Sequence, residues 1–172
     1  MLIRRESPTD FDAVRAVHEA AFDRADLAGE SAPEAVLVDE LRSDGDLVPG
    51  LALVADIGGE VVGHVVCSRA TIARRPALGL GPIGVQPHRQ RGGVGSALMH
   101  AVIAAADALD EPVIVLLGHP AYYPRFGFVP AVEHGITPPQ DWGPALFMVR
   151  RLTAWAPGLQ GLFRYAPAFE RL

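Results

Sequence analysis

The sequence predicts one α/β domain in which helices cover a mixed sheet. Strand-like apolar runs alternate with segments whose apolar residues recur every three or four positions. The run Val113-Ile114-Val115-Leu116-Leu117 is apolar throughout, as in a strand buried on both faces. The strand ending at Val85 breaks at Pro87 and passes through a glycine-rich turn into a long alanine-rich helical pattern. A chain of 172 residues is long enough for a substantial core, and neither repeats nor a low-complexity linker divide it. Residues 1–172 therefore read as a single domain.

Leu2 to Arg4 forms a short opening strand, and Ser7-Pro8-Thr9-Asp10 starts a helix with cap residues and an early proline. Phe11, Val14, Val17 and Ala21 mark the buried face of that helix. Ser31-Ala32-Pro33-Glu34 has a capping-box pattern and opens a second helix reaching about Leu41. Leu51 to Ile57, the Gly58-Gly59 turn and Val61 to Ile72 make an antiparallel hairpin. Leu78 to Val85 is the next strand, a helix runs from about Gly93 to Leu109, and Val113 to Leu117 is the strand after it. A tight segment, His119 to Phe128, carries Tyr122, Tyr123 and Phe126; a further strand covers Ala145 to Leu152. The last twenty or so residues are aromatic and proline-broken and fit no regular element.

Fifteen Lys and Arg against twenty Asp and Glu give a formal charge of −5, which excludes a general nucleic-acid binder. A local basic pair, Arg89 and Arg91, flanks the glycines. The single cysteine, Cys67, excludes a disulfide framework and a multi-cysteine zinc site, and its neighbours Val65 and Val66 make it a core thiol. His18, His88, His100 and His134 show no metal-ligand spacing, so no metal site is expected. No apolar run approaches 20 residues and the N-terminus lacks the apolar region of a signal peptide, so the expectation is a cytoplasmic protein without a membrane partner.

Two glycine motifs compete. Gly79-Leu80-Gly81-Pro82-Ile83-Gly84 fits the letters of the dinucleotide fingerprint, but it lies in or just before a strand, holds a proline and opens no helix. No G-x-x-x-x-G-K-[ST] motif occurs either. Gln90-Arg91-Gly92-Gly93-Val94-Gly95 has the right setting, with a strand before it and a long helix after it. Glycines bring backbone close to a ligand, and the first helical turn offers free N–H groups and a positive dipole end. That combination describes an anion cradle suited to a diphosphate.

With Tyr123-Pro124-Arg125-Phe126-Gly127-Phe128 some thirty residues on, the sequence resembles the GCN5-related N-acetyltransferase (GNAT) superfamily, in particular a bacterial branch of predicted acetyltransferases. Gln90 to Gly95 matches its Q/R-x-x-G-x-G/A signature, and Tyr123 to Phe128 matches its Y-x-x-x-G-F segment. The resemblance implies a mixed sheet of about six to seven strands, splayed between the fourth and fifth and flanked by about four helices. It also implies acetyl-CoA as co-substrate and transfer of its acetyl group to a small-molecule or peptide amine by direct attack. The pyrophosphate would rest on Gln90, Arg91, Gly92, Gly93, Val94, Gly95 and Ser96, with Arg89 or Arg91 adding charge. Pantetheine would pair along Ile83, Gly84 and Val85, the Val85 N–H would be the oxyanion donor, and Tyr123 would protonate the leaving thiolate. Many members carry an asparagine near the end of the fifth strand; Gly118-His119-Pro120 stands there, so no side-chain role transfers to that position.

The base stays open between His64, His119 and a carboxylate acting through water, Glu30 or Glu34. Tyr122 reads as packing or substrate wall. The acidic arm from Ala28 to Leu47 reads first as a solvated helix face, with attraction of a cationic amine as the alternative. Trp155, Phe163, Tyr165 and Phe169 could serve a homodimer surface. Two other functions fit the same motifs: an acyl-CoA-binding module without turnover, and a transferase for a longer acyl chain.

Overall fold

The computed structural model describes residues 1–27 and 29–171. Its frame is a long hairpin of β2 (Leu47–Ile57) and β3 (Glu60–Ile72). Gly58 and Gly59 close it with φ values of 65° and 89°, conformations that favour glycine in a two-residue turn matching the strand twist. β4 (Arg75–Val85) returns antiparallel to β3, and β1 (Leu2–Arg5) lies on the other side of β2. β5 (Val113–Leu117) is parallel to β4, and β8 (Phe147–Arg151) and β6 (Val129–Pro130) continue the sheet outward from it. β9 (Gly161–Arg164) pairs with β7 (Ile136–Thr137) and with the far end of β3.

Side-chain alternation distributes the core to two faces. Leu51 and Leu53 of β2 pack with Leu98, Met99 and Val102 of α3 (Val94–Ala108), while Ala52 and Val54 pack with Val14 and Val17 of α1 (Phe11–Ala21) and Val38 of α2 (Pro33–Ser43). Cys67 is fully buried, and burial raises its thiol pKa, in keeping with a core thiol.

The architecture agrees with the expected GNAT fold, with adjustments. The described residues hold nine strands because β6, β7 and β9 are too short to read from alternation, and three α-helices because the other helical segments are single 3₁₀ turns. At the first helix entrance Asp10 accepts the Ser7 N–H (2.7 Å) and hydroxyl (2.8 Å) and two bonds from the Arg4 guanidinium. The capping box expected at Ser31 to Glu34 does not form: Ala32 takes the cap position and donates its N–H to Glu19 (2.8 Å). Ser31 instead meets Arg15 (3.0 Å). The aromatic tail is largely used within the fold. Phe163 is fully buried, and Tyr165 stacks on Phe169 at 4.4 Å with its ring over Gly79.

The feature that positions the site is the short union of β4 and β5. Their pairing is confined to Leu78 with Ile114 and Gly79 with Val115. Immediately beyond, Val65 pairs with Ile83 but Cys67 with Leu80, so β4 carries one extra residue in a bulge at Gly81-Pro82. A bulge bends its strand, and proline, having no N–H to give a ladder, fits there. The two strands part, and Leu80 to Val85 has no strand partner on the β5 side.

An alanine Cβ at Gly79 would lie 2.9 Å from a ring carbon of Tyr165. We expect Gly79→Ala to cost about 1–3 kcal/mol by overpacking, read as a Tm lowered by roughly 2–10 °C. An unchanged Tm would show that the tail yields without cost.

Candidate active site

The glycine turn is built to leave amides free. After a 3₁₀ turn at Pro87–Arg89, Arg91 and Gly93 take positive φ values of 62° and 87°, and α3 begins at Val94. Gly93 stands at the cap position without a side chain to satisfy the helix, and the first intrahelical bond there is Ala97 N–H to Gly93 O at 3.0 Å. The N–H groups of Val94, Gly95 and Ser96 thus lack helical partners. No acidic residue occupies the first turn to compete with an incoming anion.

Beside this turn lies a cavity of about 730 Å³. Of the ten cofactor residues expected from the sequence, eight line it: Ile83, Gly84, Val85, Gln90, Arg91, Gly93, Gly95 and Ser96. Val94 is instead buried in the core, and Gly92 forms exposed turn backbone. Arg89 faces Glu60 (3.8 Å), so Arg91 is the member of the basic pair that reaches the cavity. Arg125, which sequence reasoning did not single out, also reaches it; its guanidinium lies over the Tyr122 ring at 4.7 Å. Tyr122 itself belongs to this cavity, its hydroxyl 3.0 Å from where a Cβ on Gly95 would sit.

The free edge of β4 forms the floor. Gln86 donates its N–H to Val62 O (2.9 Å), and Val85 and Ile83 lie opposite Gly63 and Val65. Ladder alternation therefore turns the Ile83 and Val85 peptide groups away from β3, toward the open side. In agreement, Gln90 donates from its side-chain amide to Val85 O at 3.1 Å.

A second cavity, about 660 Å³, adjoins the first: Phe22 and Ile83 line both. Tyr123 belongs to this second cavity. Its ring packs directly on Gly118, where any side chain would collide with it, and stacks edge-on to Tyr122 at 5.1 Å. Gly127 closes the 3₁₀ turn Tyr123–Phe126 at φ 80°, and Arg150 donates to the Phe126 carbonyl. The Y-x-x-x-G-F pattern thus builds a rigid mount for the ring. Burial pushes the Tyr123 phenol up to about 12, so it holds its proton at neutral pH.

The expected bases separate. His119 is exposed, lines neither cavity and accepts the Ala121 N–H at 3.1 Å as a turn residue. Glu30 is exposed, whereas Glu34 lines the second cavity. His64 is fully buried in a chain that sequence reasoning missed, because His18 stands 46 residues from it on another element. His18 Nε2 lies 2.8 Å from His64 Nδ1, His64 Nε2 lies 3.1 Å from Glu6 Oε2, and Arg42 donates to the same Glu6 oxygen at 3.2 Å. Burial alone would raise the Glu6 carboxyl, but the His64 ring N–H and the charge and bonds of the Arg42 guanidinium carry it below its ordinary value. With Glu6 ionised, the consistent proton assignment runs His18 Nε2–H to His64 Nδ1 and leaves His64 Nε2–H facing Glu6 across 3.1 Å, in a contact that is not aligned as a hydrogen bond. That leaves His18 Nδ1 as a lone pair against Gly84, where a Cβ would approach it to 2.9 Å. Neither ring lines either of the two cavities, and the chain holds α1 to the sheet behind the free edge.

Strand edge, amide cradle and paired cavities define an acyl-transferase framework, and comparison with known proteins agrees. The acetyltransferase (GNAT) domain family model matches residues 49–130. The "uncharacterized N-acetyltransferase YhbS" of Escherichia coli strain K12 is 32% identical over 174 residues, covering 99% of both chains. The chain belongs to the GNAT family of N-acetyltransferases. The crystal structure of E. coli YhbS in complex with CoA superposes with a TM-score of 0.87 at 31% identity, covering 99% of this chain and 92% of that one. A GNAT acetyltransferase from Brucella melitensis, solved in complex with acetyl-CoA, has a TM-score of 0.78 at 34% identity, covering 98% and 97%.

Burial holds His18 down to about 3 and His64 below its ordinary value, so both are neutral in the fold. The unfolded chain binds more protons once pH drops below about 6.5, the free histidine value. Stability is therefore fully present above that pH and falls as acid is added, by up to about 1.4 kcal/mol per pH unit per histidine. The lowered Glu6 acts in the same sense at lower pH. We expect the urea midpoint to fall between pH 7 and pH 5, and His18→Gln to flatten that dependence; an equally steep slope in the variant would assign the effect elsewhere.

Proposed function

We propose that this chain transfers the acetyl group of acetyl-CoA to an amine, with the cofactor in the first cavity and the acceptor in the second. The observation that carries this reading is the meeting of the two cavities at Ile83 on an unpaired strand edge. Pantetheine, an extended chain bearing amides, can add to that edge as a peptide strand would. The pyrophosphate then reaches the free amides of the α3 N-terminus, with Arg91 and Arg125 on either side. The bound ligands of the E. coli and Brucella proteins support the same choice of cofactor.

The reaction follows from these places. The amine, having lost its ammonium proton to solvent or a carboxylate, attacks the thioester carbonyl carbon. A C–N bond forms, negative charge gathers on the carbonyl oxygen, and the C–S bond breaks as the tetrahedral species collapses. An outward N–H of β4 steadies the oxyanion. Val85 was the expected donor; Ile83 is the better assignment, because Ile83 borders both cavities and Val85 only the cofactor side. The thiolate takes a proton from Tyr123, and the proton released by the attacking nitrogen restores the phenol.

Calorimetry should detect acetyl-CoA binding, and an amine panel should release free thiol. Binding without thiol release would favour the non-catalytic module, and faster release from longer thioesters would favour a different acyl group. Tyr123→Phe should lower kcat by about 10²-fold while leaving acetyl-CoA affinity unchanged. With the phenol near 12, wild-type activity should show no loss from Tyr123 ionisation below about pH 10. Unchanged turnover in Tyr123→Phe would remove Tyr123 from the mechanism.

A further inference from the structure

We infer that Phe22 sets the length of the acyl group this enzyme transfers, its ring closing the place where the two cavities meet so that an acetyl thioester fits and longer ones do not; this rests on the acetyl-transfer reading above. Under that reading the thioester carbonyl lies where the cofactor cavity opens into the acceptor cavity. Two residues line both cavities, Phe22 and Ile83. Ile83 meets the thioester with its peptide group on the free edge of β4. The Phe22 side chain is then the bulk that stands beside the acyl group.

The two residues reach the junction from opposite faces of the sheet. Side chains alternate along β4, and Ile83 packs with the core cluster that contains α3, so position 84 turns to α1. A Cβ at Gly84 would lie 2.9 Å from His18 Nδ1 and 3.4 Å from Ala21 Cβ. The last turn of α1 therefore rests on β4 as closely as a bare backbone permits, and Phe22 is the C-cap of that helix. Glycine at position 84 is thus what brings the Phe22 ring to the junction.

The ring is also backed. Phe22 donates its N–H to His18 O at 3.0 Å, and its ring stacks on the His18 imidazole with planes 14° apart and centroids at 5.9 Å. His18 is fully buried and joined to His64 at 2.8 Å, so it has no room to swing aside. The buried histidine pair, which touches neither cavity, thereby acts on the site through Phe22. A longer acyl chain has two courses from the junction. Against Phe22 it meets a ring that cannot retreat, and in the second cavity it takes the space of the attacking amine. Both disfavour turnover.

Thiol release from acetyl-, butyryl- and hexanoyl-CoA with the most active amine of the panel tests this, together with calorimetry of each thioester in the absence of amine. In the wild-type protein kcat/KM should fall by about tenfold or more from acetyl to butyryl. Phe22→Ala should narrow that gap by about tenfold and Phe22→Leu by less, and both should tighten butyryl-CoA relative to acetyl-CoA in calorimetry. His18→Gln, which removes the ring behind Phe22, should move the same ratio in the same direction; a fall common to all three thioesters would overturn the part given to His18. A ratio unaltered in both Phe22 variants would overturn the inference, as would a wild-type protein that uses butyryl-CoA as well as acetyl-CoA. Failure of the acetyl-transfer reading looks different: no thiol is released from any thioester, while the calorimetric ratio of butyryl-CoA to acetyl-CoA with and without the Phe22 ring still decides its role.

Discussion

Two parallel strands that part after two paired residues leave a row of peptide groups without a strand partner, and the rest of this structure follows from that gap. Leu78 and Gly79 hold β4 to β5; beyond the Gly81-Pro82 bulge, Ile83 and Val85 turn their amides into an opening. An unpaired edge inside a sheet is unfavourable unless something completes it. Both cavities lie along this edge, with the free amides of the α3 N-terminus beside the first and aromatic walls around the second. The opening also explains why β5 is short and wholly apolar: it is sandwiched at its base and free of β4 at its tip, where Leu117 becomes exposed and lines the second cavity.

Keeping the edge in place requires close packing behind it, and the glycines of β4 record that requirement. Gly79 accepts the Tyr165 ring, Gly84 the His18 ring, and Gly81 adopts φ 142° in the bulge. The letters of a dinucleotide fingerprint thus arise from three unrelated demands on one strand. The buried chain from Arg42 through Glu6 and His64 to His18 ties α2, the N-terminal segment, β3 and α1 together behind Gly84. Neutral rings joined through one ionised carboxylate avoid the cost of burying an unpaired cation.

The two sides of the opening differ in construction. The first cavity is made mainly from one stretch, Ile83 to Ser96, with Ala21, Phe22, Tyr122 and Arg125 added from beside it. The second cavity is assembled from the end of α1, from α2, from the loop around Trp142 and from the tail around Tyr165, separate segments of the chain. Local geometry suffices to bind a diphosphate, since helix amides and glycine turns are properties of a few consecutive residues. A pocket for a particular acceptor needs walls from several directions, so its composition can change without disturbing the cradle.

That difference also decides what could be read without coordinates. Periodicity, the Gly58-Gly59 turn and the paired motifs Gln90 to Gly95 and Tyr123 to Phe128 determined most of the element order, the fold family and the place of the glycine turn that opens α3, because each is a short-range pattern carrying its own geometry. Tertiary structure alone joined His18 to His64 and Glu6, placed Tyr122 against the first cavity and Tyr123 against the second, and set Glu34, Asp39, Glu40 and Asp44 of the acidic arm against arginines. It also turned the unassigned tail into β9 and a cavity wall. These relations join residues distant in sequence, and no local period encodes the distance between two side chains that the fold brings together.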